Sequence, residues 1–435
     1  MSEFPRNSDN HFKNYPRFEK DFQKKISLIS SAYPLTAKIF DKLFRASFLN
    51  EELKRYKTKP LELFLIKVLR IISIMKVFFS KEKNRNDFFL LSLPSFLSLR
   101  ENFTLLLKIK KIRILPWGYS QIYCGTFSQF LFQPYLISKP LFSINHLVNS
   151  LQENGIEQTS NNIQLLEDIE KKSKEHIDYL RMMIVKYSLK GVLSQGHTSI
   201  SSASIALACD FESVPYVVIS HGYIANRNLM TIAPISNIHS LLTWTEKQKR
   251  DIQEVINPIE RNKIQCLGYP GSKVSISPIR QERSKYRAKV LFILEPIKKY
   301  IMKGIDSEIK SILNSINEFD LFIRAHPSDR DNYNYISKIL DFDKVNFSSK
   351  SLANDLSRAT MVIGTNSSVL FQSAANGIET YQIKELSETH FEYVNQAPFI
   401  EILEKLNDYS YSGKINAAPV NFLEDNLDSL FSFFE

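Results

Sequence analysis

The chain has 435 residues, 43% of them hydrophobic, with 56 Lys+Arg against 46 Asp+Glu and a formal net charge of +10. That length and hydrophobic content exclude a disordered chain and allow two or three domains of about 150 residues. The three cysteines, Cys124, Cys209 and Cys266, have no Cys-x-x-Cys spacing; this excludes a disulfide scaffold and a cysteine zinc site and fits a reducing compartment. The charge is uneven. Residues 1–120 carry 24 basic and 11 acidic side chains, net +13, which leaves 32 and 35, net −3, for the other 315 residues.

The first 25 residues are polar and mixed in charge, without the apolar run of a secretory signal. The most apolar stretch, Leu61 to Ser80, contains Lys67, Arg70 and Lys76. Three cations make a bilayer crossing costly, so a helix over 61–79 is expected instead. A cytoplasmic protein follows, peripheral to the inner face of a membrane through its basic region 1–80.

Strands are predicted at 87–93 and 112–115, and helices at 141–153 and 163–187. From Gly191 the alternation is regular: strand GVLSQ, helix 199–209, strand VPYVVIS, strand LLTWT, helix 246–256, strand IQCLG. A Gly/Pro/Ser stretch at 268–278 reads as a linker. Beyond it come strand 289–294, helix 306–317, strand 320–324, helix 332–340, strand 344–347, helix 352–358, strand 361–363, helix 368–376 and strand 379–383. Strands separated by helices of 8–15 residues are βαβ units with parallel sheets. The expected class is therefore α/β, with two doubly wound domains facing across a cleft. The expected divisions are an acceptor-side domain 1–267, the linker, a nucleotide-binding domain 279–415, and a C-terminal helix at 416–435 packing back on the first domain. Ligands of such sheets bind beyond the carboxyl ends of the strands.

The chemistry-bearing motifs fall at those ends. In FIRAHPSD (322–329), Pro327 ends the strand and presents His326, which either donates to a phosphate or caps a turn; Arg324 adds a fixed charge. In VIGTNSSVLFQSAANGIET (362–380), Gly364, Thr365, Asn366, Ser367 and Ser368 lead into a helix. Its first amides are either simply capped by a hydroxyl or hold an anion as well. In LSQGHTSISSASIALACD (193–210), Gly196 turns the chain and His197 stands at the edge where a base belongs, with Thr198 or Ser199 as an ordinary cap. VPYVVISHGYIANRN (214–228) delivers His221, and CLGYPGSK (266–273) offers Gly268 for close backbone approach.

HG (221–222), GYPG (268–271), RAHP (324–327) and GTNSSVLFQSAANG (364–377) resemble the GT-B superfamily of glycosyltransferases. The resemblance covers about residues 190–385. It is nearest to bacterial surface-polysaccharide enzymes: the CMP-sugar transferases for Kdo and sialic acid, and the CDP-glycerol glycerophosphotransferases. UDP-N-acetylglucosamine epimerases share the layout. It implies two Rossmann-like domains, CMP contacts at His326, Pro327, Ser367 and Ser368, and His221 as general base. The epimerases carry a catalytic aspartate where His197 stands, a departure that speaks against epimerase chemistry, and a glutamate after the serine turn where Gln372 is found, with Glu379 on the next strand, a departure that favours CMP or CDP over UDP. The expected partners are a nucleotide-sugar donor, a glycan or lipid-linked acceptor and an anionic membrane surface. No metal or other cofactor is expected, since the carboxylates are scattered along the chain, and a nucleic-acid partner is disfavoured by the lack of any recognisable nucleic-acid motif in the basic region. Alternatives are a CDP-alditol phosphotransferase, a nucleotide-sugar epimerase or hydrolase, and a non-catalytic basic binding protein.

Overall fold

The computed structural model describes residues 88–91, 112–114, 149, 160–186, 188–195, 200–220, 238–254, 256, 258–270, 288–326, 329, 336–337, 347–387, 390–409 and 420–434. They divide into two compact units. One holds the described residues up to Pro270 together with those from Leu423 onward; the other runs from Ala288 to Phe422.

The first unit is a parallel sheet of six strands: β1 (Phe88–Leu91), β2 (Ile112–Ile114), β3 (Val192–Gln195), β4 (Tyr216–Ile219), β5 (Ser240–Thr243) and β6 (Ile264–Cys266), in the order β2-β1-β3-β4-β5-β6. Helices α1 (Ser160–Lys186), α2 (Ile200–Phe211) and α3 (Glu246–Gln253) connect them. Every residue of β4 (YVVI) and of β5 is buried. Strands covered on both faces bury every side chain, so their sequence is a continuous run rather than an alternation. The small residues of α2 (ISSASIALACDF) allow it to lie close along α1 and β4.

The second unit is a parallel sheet of five strands: β7 (Lys289–Ile293), β8 (Asp320–Arg324), β9 (Met361–Gly364), β10 (Glu379–Ile383) and β11 (Asn395–Ala397), in the order β11-β10-β9-β7-β8. Its helices are α4 (Ile297–Lys303), α5 (Asp306–Ser315), α6 (Leu352–Arg358), α7 (Ser368–Ala375) and α8 (Phe399–Asn407). One core joins Phe292, Ile323, Met361, Ile363 and Ile383 to Tyr300 of α4, Ile309 and Leu313 of α5 and Ile402 of α8. Each such burial is worth about 1.5–3 kcal/mol. The expected α/β class, doubly wound twice over, is borne out.

Two features of this unit depart from the sequence pattern. Helix α4 has seven residues, starts behind Pro296 and is closed by Gly304 in the left-handed region at φ 66°; the pattern predicts only a strand up to Leu294 and then α5. Strand β11 is three residues with two exposed, so it shows no apolar pattern, and α8 follows it. Of the predicted strand 344–347 only Phe347 is described, in a single parallel bridge to Ile323. The predicted helices at 61–79 and 141–153 lie outside the described residues apart from a helical Asn149, as does that at 332–340 apart from 336–337.

The C-terminal segment, a 3-10 turn (Leu423–Asn426), helix α9 (Leu427–Phe431) and a second 3-10 turn (Ser432–Phe434), completes the first unit. Asn426 donates its side-chain amide to Leu267 O at 3.1 Å. The buried ring of Phe434 lies against Gly191, where an added Cβ would come within 2.3 Å of it and 2.8 Å of Pro215 O. Only glycine fits there.

Candidate functional site

In a doubly wound sheet the chain leaves its first strand in one direction and later returns to build in the other, and the crevice where the directions diverge takes the ligand. In the second unit β7 leads to β8 on one side, and the chain then crosses to β9 on the other. The switch point is thus the carboxyl end of β7, between β8 and β9. Arg324, Ile293 and Gly364 form one registered row across these strands. Two residues beyond that row come His326, Glu295 and Asn366.

Glu295 organises this edge, although no sequence motif singles it out. Its side chain is only 4% exposed. One carboxylate oxygen accepts from Thr365 Oγ1 at 2.6 Å, from the Asn366 amide at 3.1 Å and from Asn366 Nδ2 at 3.0 Å. The other accepts from Lys299 Nζ at 2.5 Å. The hydroxyl of buried Tyr300 accepts the Glu295 N–H at 2.8 Å and lies 3.4 Å from Thr365 Oγ1. Since Thr365 gives its one proton to the carboxylate, Tyr300 is the donor in that contact. Burial alone would raise the Glu295 carboxyl; the bonds from Lys299, Thr365 and Asn366 outweigh it and hold the group below its ordinary value. The signal was present in the sequence, an acid directly after the apolar run VLFIL.

Thr365 is held from its other side too. Its carbonyl accepts from Gln382 Nε2 at 2.7 Å and Ser387 Oγ at 3.2 Å. Gly364 permits the close passage of β9 past β7: an added Cβ would meet Ile293 O at 3.1 Å. Ser367 caps α7, accepting from the Val369 amide at 3.3 Å. Gly364, Thr365, Asn366, Ser367 and Ser368 therefore form one turn, as the sequence groups them, with the Asn366 amide already given to Glu295.

Arg324, on the neighbouring strand, has a different environment from that expected. It is 7% exposed, and its Nη1 donates to Asp355 Oδ2 at 2.6 Å and Lys350 O at 2.9 Å. Asp355 is fully buried, and its other oxygen accepts from Ser348 Oγ at 2.5 Å. The charge of Arg324 is thus neutralised inside the unit. His326 is half-buried at the strand end and takes part in an interaction of its own; its carbonyl accepts the Asp329 amide at 2.9 Å. Asp329 then accepts the first amide of α4, Ile297 N–H, at 2.8 Å. The loop after β8 and the start of α4 are tied together beside Glu295.

Gly268 belongs to the other unit, buried just after β6 with φ 105°. His197, His221 and Pro327 lie outside the described residues. The residue before His221 is firmly held: Ser220 O accepts Trp244 Nε1 at 3.0 Å, and Ser220 N–H donates to Leu242 O at 2.9 Å. Trp244 meets Tyr269 edge-on at 4.9 Å between centroids.

No family model matches the chain, and no curated protein matches it. Several solved structures are similar at low identity. UDP-N-acetylglucosamine 2-epimerase from Rickettsia bellii is 14% identical with a TM-score of 0.46, over 80% of this chain and 97% of that one. Methanocaldococcus jannaschii UDP-GlcNAc 2-epimerase, in complex with UDP-GlcNAc and UDP, is 14% identical with a TM-score of 0.48, over 80% and 99%. Acinetobacter baumannii MurG is 9% identical with a TM-score of 0.38, over 74% and 89%.

Proposed function

We propose that the chain is a metal-independent glycosyltransferase of the GT-B type, which moves a sugar from a nucleotide donor, a CMP-sugar by preference, to a growing surface glycan or lipid-linked acceptor. The observation that carries this reading is the convergence of His326, the Thr365–Ser368 turn and Glu295 at the switch point of the second sheet. In this mechanism Ser367, Ser368, His326 and the first turn of α7 stabilise charge on the departing nucleotide. His221 or His197 takes the proton of the acceptor hydroxyl.

Thermal shift with CMP, CDP and UDP in parallel tests it. A nucleotide at 100 times its Kd stabilises by about 2.7 kcal/mol, which in a unit of this size raises Tm by about 5–10 °C. CMP is expected to give the largest rise and His326→Ala to diminish it. If none of the three stabilises the wild type, the nucleotide site is wrong. A UDP preference, with product formed from donor alone, would instead identify an epimerase or hydrolase.

The same reading gives the basic first 120 residues to an acceptor side at the inner face of a membrane, where their net +13 meets anionic headgroups. Flotation with anionic liposomes is expected to recover the protein. Equal recovery with neutral liposomes would reject the electrostatic attachment.

A further inference from the structure

We propose that Lys299, fixed by Glu295, is the cation that receives the phosphate of the ligand at this switch point. The inference extends the nucleotide reading but has a readout of its own.

Arg324, which the sequence offered as the fixed charge, is buried against Asp355, its Nη1 shared between that carboxylate and Lys350 O. The turn after β9 has given the Asn366 amide to Glu295. A phosphate arriving there meets a buried carboxylate, and two unit charges 5 Å apart repel by about 3 kcal/mol at an effective dielectric of 20. A cation must therefore stand between carboxylate and phosphate. Lys299 is placed for this: its ammonium touches Glu295 at 2.5 Å while half of the side chain remains exposed.

Neutralising Glu295 does not by itself account for the lysine. Three hydrogen bonds from Thr365 and Asn366 favour the charged carboxylate alongside the bond from Lys299 itself, and the half-exposed end of the lysine adds little stability beyond that. What the contact does is pin the end of a flexible four-carbon arm to the carboxyl edge of the central strand. An ammonium has three donors, and Glu295 takes one, which leaves two for an anion. The first amide of α4 offers no substitute, because Asp329 has already taken it.

The test uses the full chain with inorganic pyrophosphate, CMP and uncharged cytidine as probes, read by calorimetry. Lys299→Met is expected to weaken pyrophosphate and CMP about 10- to 100-fold, as loss of a charge-assisted hydrogen bond does, and to leave cytidine unchanged. Lys299→Arg is expected to restore most of the loss, and Tm to move by no more than about 2 °C in either variant. Unchanged pyrophosphate and CMP affinity in Lys299→Met would overturn the assignment, and so would wild-type protein that binds neither. Lysine-dependent pyrophosphate binding without any nucleotide binding would uphold the phosphate site and reject the nucleotide reading.

Discussion

Asp355→Ala is expected to lower the stability of the second unit by about 3–5 kcal/mol, the range for stranding one partner of a buried ion pair. The wild-type pair is an Arg324–Asp355 contact of 2.6 Å between a side chain 9% exposed and one fully buried. Without the carboxylate, Arg324 keeps only Lys350 O, and Ser348 loses the oxygen its hydroxyl was given to. The cost is the desolvated guanidinium rather than the lost attraction, so the double variant Arg324→Met/Asp355→Ala should recover most of it. Urea unfolding of wild type and the two variants measures this. A loss below about 1 kcal/mol in Asp355→Ala would mean that water reaches the pair. Arg324 variants should accordingly lose activity with their stability, and ligand affinity in the surviving folded fraction should stay near wild type.

Glu295→Ala is expected to cost about 3 kcal/mol at pH 7, since it leaves the Thr365 hydroxyl and both Asn366 donors without their acceptor. Glu295→Gln should cost about half as much: an amide oxygen still accepts from Thr365 and Asn366, but an amide nitrogen faces Lys299 as donor to donor. The two changes also differ from wild type in pH dependence. The folded carboxyl is held below its ordinary value, so its contribution is complete above the unfolded value of about 4.3 and is lost as pH falls through the folded one. The gap between wild type and Glu295→Gln should therefore be constant from pH 7 to about 5 and narrow below about 4. A gap that widens in acid would show that Glu295 is neutral in the folded state.

The regular part of the fold is legible because its strands are buried on both faces. β8, α6 and β10 begin and end where the sequence places them, and the residues from Gly364 to Ser368 do form one turn. What escapes depends on packing across long separations. Glu295 acquires its meaning only when β9, 70 residues later in the chain, lays Thr365 against it. Arg324 reads as a ligand group because the apolar strand before it says nothing of Asp355, buried 31 residues away. β11 goes unseen because a three-residue polar strand carries no period to read, whereas α8 does carry apolar residues at helical spacing, Phe399, Ile402, Leu403 and Leu406, and was legible.

The contact of Phe434 with Gly191 has a consequence in time. The first unit is discontinuous along the chain: its sheet is complete once β6 is made, yet its last packing element emerges only after the whole of the second unit. At about 5–20 residues per second of synthesis, the roughly 170 residues between β6 and Phe434 take about 8–35 seconds. For that interval the space beside Gly191 and Pro215 waits without the ring that fills it in the finished unit.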